Sequence, residues 1–159
     1  MSANELADIT RTRLFIEQEA LRRSLENGDL AWEASLIAAH HRLSRLPMQL
    51  PNAPGIAPDW EEAHTAFHRT LLSACDSQWL LNLAEMLRDQ SARYRHLSVQ
   101  HPPSASTDHA QSSRDVAGEH QALLDAALRH DVNLATTLLA QHFQTTSDLV
   151  LQPAPMPQA

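Results

Sequence analysis

The sequence predicts an all-α fold, six helical segments in an antiparallel bundle, on three observations. Glycine is scarce, with 3 in 159 residues, and Phe, Tyr and Trp together make only 4% of the chain. β-Branched residues are also few, so strand formers are thin while Ala, Leu, Gln, His and Glu dominate. Apolar residues recur at helical spacing, and prolines gather between those stretches.

The first helix is expected from about Asn4 to Asn27, with Leu6, Ile9, Leu14, Ile16, Ala20, Leu21 and Leu25 on or near one stripe. Asn27-Gly28 closes it, and Asp29 caps a second helix from about Leu30 to Arg45. The stretch LPMQLPNAPGIAPDW holds four prolines and a glycine and reads as a loop. Asp59 is expected to cap a third helix reaching about Ala74, with Glu62 as its capping-box partner. After the turn CDS, Asp76 or Ser77 caps a fourth helix through about Leu97. VQHPPSASTDHAQSS is a polar loop. A fifth helix covers about Ser113 to Arg129, Asp131 caps a sixth to about Leu151, and QPAPMPQA is a frayed tail.

Twelve Lys+Arg against nineteen Asp+Glu leave a formal charge of -7, which argues against binding a nucleic-acid backbone. No apolar run approaches the ~20 residues of a membrane span, and the N-terminus lacks the apolar stretch of a signal peptide. The single cysteine, Cys75, excludes an internal disulfide and fits a reducing cytoplasm.

The chemistry sits on histidines. His64 and His68 are four residues apart in the third helix, so they share a face. Ten histidines in 159 residues make chance pairs common, and the pair alone is a weak signal. His120 lies four residues before Leu124 and His142 four after Leu138, so both sit on apolar stripes. An imidazole facing a core needs partners for both ring nitrogens, and a metal satisfies one of them. Four inward histidines from three helices make a nitrogen-rich site suited to Zn²⁺, Ni²⁺, Cu²⁺ or Fe²⁺. The adjacent His40 and His41 cannot share a face. His96, His101, His109 and His130 fall at helix ends or in loops, where solvation is the default.

A second group is cationic. Arg13 lies near the stripe of the first helix, and Arg88, Arg93 and Arg95 surround Tyr94 in the fourth. Arginine grips carboxylates bidentately, although Glu17, Glu85 and Asp89 offer local pairing instead. No nucleophile–base pair, HExxH or phosphate-cradling glycine loop is present. Two alternatives stay open. One is a metal-free bundle used for dimerisation. The other is a helical metalloenzyme, a hydrolase or transferase, in which Glu61, Glu62 or Glu119 would activate a metal-bound water.

The segments ELADITRTRLFIEQEAL, HTAFHRTLLSACDSQWLL, RDQSARYRHLS and GEHQALLDAALRHDVNLATTLLAQHF, in that order, resemble the effector-binding FCD domain of FadR-type GntR transcription regulators. The subgroup is similar to the carbon-starvation regulators of glutarate and 2-hydroxyglutarate use. The resemblance implies a bundle of six or seven helices, a divalent metal (Zn²⁺ foremost, or Ni²⁺) under a small-carboxylate pocket, and a regulator rather than an enzyme. Its ligand pattern falls on His64, His68, His120 and His142, with His64 where the family usually has Asp. Arg13, Arg93, Tyr94 and Arg95 fall at effector-binding positions. It also implies a cytoplasmic homodimer that reaches DNA only through an N-terminal winged helix, which these residues do not contain. The chain is accordingly expected to be an excised domain or a natural sensor fragment. Residues 1–4 would then be a junction or tag remnant, 5–152 the FCD-like domain and 153–159 a flexible tail.

Overall fold

The computed structural model describes residues 2–100 and 114–151, with side chains for 2–94 and 114–150. The tail 153–159, His101 and His109 lie outside the described residues, as do the side chains of Arg95 and His96. Six α-helices occur among the described residues: α1 (Ala3–Asn27), α2 (Leu30–Ser44), α3 (Pro58–Leu72), α4 (Gln78–Gln100), α5 (Val116–Leu128) and α6 (Val132–Leu151).

Most boundaries follow from their caps. The Ser2 hydroxyl accepts from Glu5 N–H, Asp29 from Trp32 N–H and Asp115 from Gly118 N–H. Ser77 receives Leu80 N–H at 3.3 Å and Asp131 receives Leu134 N–H at 3.1 Å. The start of α3 differs from expectation. Ala57 is its N-cap, with no side-chain bond, and Pro58 occupies the first turn. Proline there supplies a preset φ and loses no hydrogen bond, so Asp59 is left inside the first turn rather than capping it. Gly28 closes α1 for a steric reason: a Cβ there would lie 2.4 Å from the Trp32 ring.

Hydrogen bonds between helices give the directions. Thr10 bonds Ser147, Gln18 bonds the Thr136 carbonyl, and Leu25 O meets His130 at 2.6 Å. Partner numbers fall as those along α1 rise, so α1 and α6 run antiparallel. Trp32 Nε1 donates to Thr70 O and His40 packs edge-on against Phe67, which sets α2 antiparallel to α3 in the same way. α1 lies against α3, α4 and α6, while α2 packs on α3 and α5. Leu21, Leu25, Leu36, Phe67, Leu71, Leu123 and Leu139 are fully buried between them. The inner face of α1 is not wholly apolar, because Thr10, Glu17 and Ser24, seven residues apart, are buried on it.

His130 is a structural residue rather than a solvated one. It follows α5 in the left-handed region (φ 52), with His130 N–H on Ala127 O and Asp131 N–H on Ala126 O. That is the Schellman closure, in which glycine is the usual residue. The ring bonds Leu25 O through Nδ1 and, through Nε2 at 3.2 Å, Glu33. The Leu25 bond, with help from Glu33, raises its pKa above the ordinary value. A raised folded pKa stabilises the fold fully below the unfolded value of about 6.5. That contribution is lost as pH rises through the folded pKa. The stability advantage of wild type over His130→Gln, read from urea midpoints, is therefore expected to be largest below about pH 6.5 and to shrink above it. A pH-independent difference would rule out this linkage.

Candidate metal centre

α3 presents His64 and His68 from one face, α5 presents His120 and α6 presents His142. One nitrogen from each of the four lies within 4.8 Å of the others. In a tetrahedral site with Zn–N bonds of about 2.0–2.1 Å the ligand nitrogens stand about 3.4 Å apart, so the rings would draw together on binding an ion. His68, His120 and His142 are buried, and His64 is half-buried. Trp60 stacks on His64 at 4.6 Å and 14° between planes. Phe67 meets both His68 and His120 edge-on at 5.6 Å.

The buried Nε2 atoms of His68 and His120 have no hydrogen-bond partner. Leaving a buried polar atom unsatisfied costs about 1–3 kcal/mol, and both orphans sit in the cluster where an ion would take them. Burial, reinforced by the neighbouring imidazoles, pushes the His68 pKa well down and His120 down to about 3. Burial likewise lowers His142, against the opposing pull of Glu119. Neutral imidazoles keep their lone pairs, the form that binds a metal. The four residues thus fit a transition-metal ion, and the donor set favours a nitrogen-seeking one over Mg²⁺ or Ca²⁺.

A hydrogen-bonded clamp stands behind His142. Its Nδ1 lies 2.9 Å from Glu119 Oε1. Arg114 donates to both oxygens of Glu119, each at 2.9 Å, and also to Thr146 Oγ1 at 3.0 Å and the His142 carbonyl at 3.3 Å. Burial would raise the Glu119 pKa, but the bonds from His142 and Arg114 outweigh it and hold it at about 2.

Beside the cluster is a cavity of about 40 Å³ lined by His64 and His142 and by Thr10, Arg13, Ser91, Tyr94, Thr146 and Ser147, among others. Arg13 enters it with its guanidinium carbon 3.9 Å from the Phe143 ring centre and Nε donating to Glu17 at 3.1 Å. The Tyr94 hydroxyl is buried with no partner at hydrogen-bond geometry. Loss of water, with the Glu5 carboxylate nearby, raises its pKa. Arg93 is exposed on α4 and does not line the cavity. Among the described side chains, Arg13 and Tyr94 of the four positions implied by resemblance thus line the cavity together with His64 and His142.

A family model described as the FCD domain matches residues 8–145. The chain belongs to the FCD family. Two relatives extend the match: the uncharacterized HTH-type transcriptional regulator BphR of Paraburkholderia xenovorans is 38% identical over 96% of this chain and 59% of its own length. The HTH-type transcriptional repressor GlaR of Escherichia coli is 31% identical over 96% of this chain and 67% of its own. A GntR-family regulator from Pseudomonas syringae pv. tomato has the same fold, with a TM-score of 0.74 at 17% identity, covering 94% of this chain and 56% of that one. The chain thus spans about six tenths of the length of the first of these relatives. Both curated relatives are named as HTH-type transcriptional regulators, and neither name is that of an enzyme. No described helix is long and apolar enough to cross a membrane.

Within this FCD domain, sequence reasoning missed Arg114 and weighed Glu119 only as a water-activating acid. Glu119 instead spends its carboxylate on Arg114 and the back of His142. Adjacent helix residues point about 100° apart, so its place beside His120 does not by itself turn it toward the site.

Proposed function

We propose that this FCD domain senses a small di- or hydroxycarboxylate beside a divalent metal, Zn²⁺ foremost, held by His64, His68, His120 and His142. One observation carries the reading: two of the four clustered imidazoles and the Arg13 side chain line the same cavity. The bound metal would supply Lewis acidity and positive charge for a carboxylate. Arg13 supplies a planar cation, and Tyr94, Ser91 and Thr10 supply hydroxyls to orient the acid. No turnover is required of such a site.

At about 40 Å³ the cavity has room for only a few waters, given the ~10–15 Å³ that each needs. An acid of several carbons therefore has to displace side chains, and Arg13 is the one whose partners would change. It is shared between Glu17 on its own helix and the cavity, so an incoming carboxylate competes with Glu17 for it. That competition makes binding and rearrangement of α1 against α4 one event, which is what a sensor needs. In the whole regulator, a cytoplasmic homodimer, the shift would be read by an N-terminal winged-helix domain bound to DNA. The HTH-type names of the longer relatives support that arrangement.

A thermal-shift screen of C4–C6 dicarboxylates and hydroxy acids tests the reading. An acid at a hundredfold its Kd stabilises by about 2.7 kcal/mol, on the order of 5–10 °C for a chain of this size. Arg13→Gln is expected to abolish most of that shift. If no acid at millimolar concentration moves the melting temperature, the sensor reading is wrong.

A further inference from the structure

We propose that Glu119 is the positioning residue of the metal centre, fixing the tautomer and direction of His142, with Arg114 locking Glu119 in place. The proposal rests on the metal-binding reading above. At 2.9 Å from a carboxylate oxygen, Nδ1 of His142 has to carry the proton, because a lone pair there would face the lone pairs of an anion. The other nitrogen, Nε2, is thereby left unprotonated and free to donate to a metal. Arg114 Nη2 also lies 3.5 Å from Nδ1, at the outer limit of a hydrogen bond, and the shorter carboxylate contact decides the assignment.

Glu119 is itself held rigidly. The Arg114 guanidinium binds both of its oxygens in a fork while the same group reaches His142 O and Thr146 Oγ1 on α6. Two helices are therefore tied together one residue before His120 enters the cluster. The arrangement has an electrostatic consequence as well. Four neutral imidazoles bring no charge to a divalent ion, and Glu119 would place an anion one hydrogen bond behind His142. An outer carboxylate of this kind raises the basicity of the histidine that it holds and commonly contributes about 10–100-fold in metal affinity.

The test compares the full chain with Glu119→Ala, Glu119→Gln and Arg114→Gln, using Zn²⁺ as the probe in competition with a chromophoric chelator. Nitrogen-15 NMR of the His142 ring in metal-free protein reports the tautomer. Glutamine keeps an oxygen that accepts from Nδ1 but removes the charge, whereas alanine removes both. Wild-type His142 is expected in the Nδ1–H form before any metal is added. Glu119→Ala should mix the tautomers and weaken Zn²⁺ binding by about 10–100-fold, and Glu119→Gln should keep the tautomer while losing several-fold. Should the alanine variant fail to fold, judged by its metal-free melting curve, the glutamine and Arg114 variants decide. Wild-type affinity in all folded variants, or an Nε2–H tautomer in wild type, overturns the role of Glu119. Wild type that takes up no Zn²⁺ overturns the metal reading itself, a separate result.

Discussion

Glu17→Ala is expected to lower the melting temperature by on the order of 10 °C, because it removes the buried carboxylate that Arg13 and Arg88 share. The Glu17 side chain is 1% exposed, and it accepts from Arg13 at 3.1 Å and from Arg88 at 3.0 Å. Arg88 continues to Glu85 at 2.6 Å, and Glu85 pairs with Arg69 at the surface. Removing one partner of a buried pair leaves uncompensated charge and costs about 3–5 kcal/mol, and each kcal/mol moves the melting temperature by roughly 2–4 °C at this chain length. The exposed pair Arg11–Asp8, with side chains 70% and 74% accessible, is the control. Its loss should change stability by no more than about 1 kcal/mol. Calorimetry of both variants checks the contrast, and an unchanged melting temperature in Glu17→Ala would show that the network contributes nothing net. Replacing Arg13, Glu17 and Arg88 together by Met, Leu and Met should recover much of the loss, since the desolvation cost goes with the charges.

Removing the metal is expected to have an effect of similar size. A ligand held only by the folded state stabilises by about 4.1 kcal/mol at a thousandfold its Kd, so a strong chelator should lower the melting temperature by on the order of 10 °C. The contribution arises at identifiable atoms, because the orphaned Nε2 atoms of His68 and His120 would regain their missing partner in the metal-bound form. His120→Ala should therefore melt at the same temperature with and without chelator, as should His142→Ala. A full chelator response in either variant would place the metal elsewhere.

The helices were legible because their signals are local. Caps at Asp29, Ser77 and Asp131 set their own helix starts, whereas α3 began at Pro58, a start that needs no side-chain cap, and α5 began at Val116 under an Asp115 cap rather than near Ser113. The four histidines were legible because two share a helical face and two interrupt apolar stripes. The arginines were not separable in the same way. Arg93 and Arg88 lie on one helix, yet Arg93 is exposed whereas Arg88 is buried against Glu17, and that depends on where α1 lies across α4. Long-range pairing hid the rest. Glu119 meets His142 across 23 residues, and His130 meets Leu25 across 105, so neither contact leaves a trace in the spacing of the chain. His130 looked like a solvated turn residue for that reason.

The central claim is that four imidazoles, His64 included, hold one divalent metal. Metal content of the purified chain by elemental analysis tests it most directly, with His64→Ala, His120→Ala and His142→Ala measured alongside. About one equivalent per chain is expected in wild type, with loss in all three variants. A wild type without metal after incubation in Zn²⁺, or a His120→Ala variant that retains a full equivalent, would contradict it.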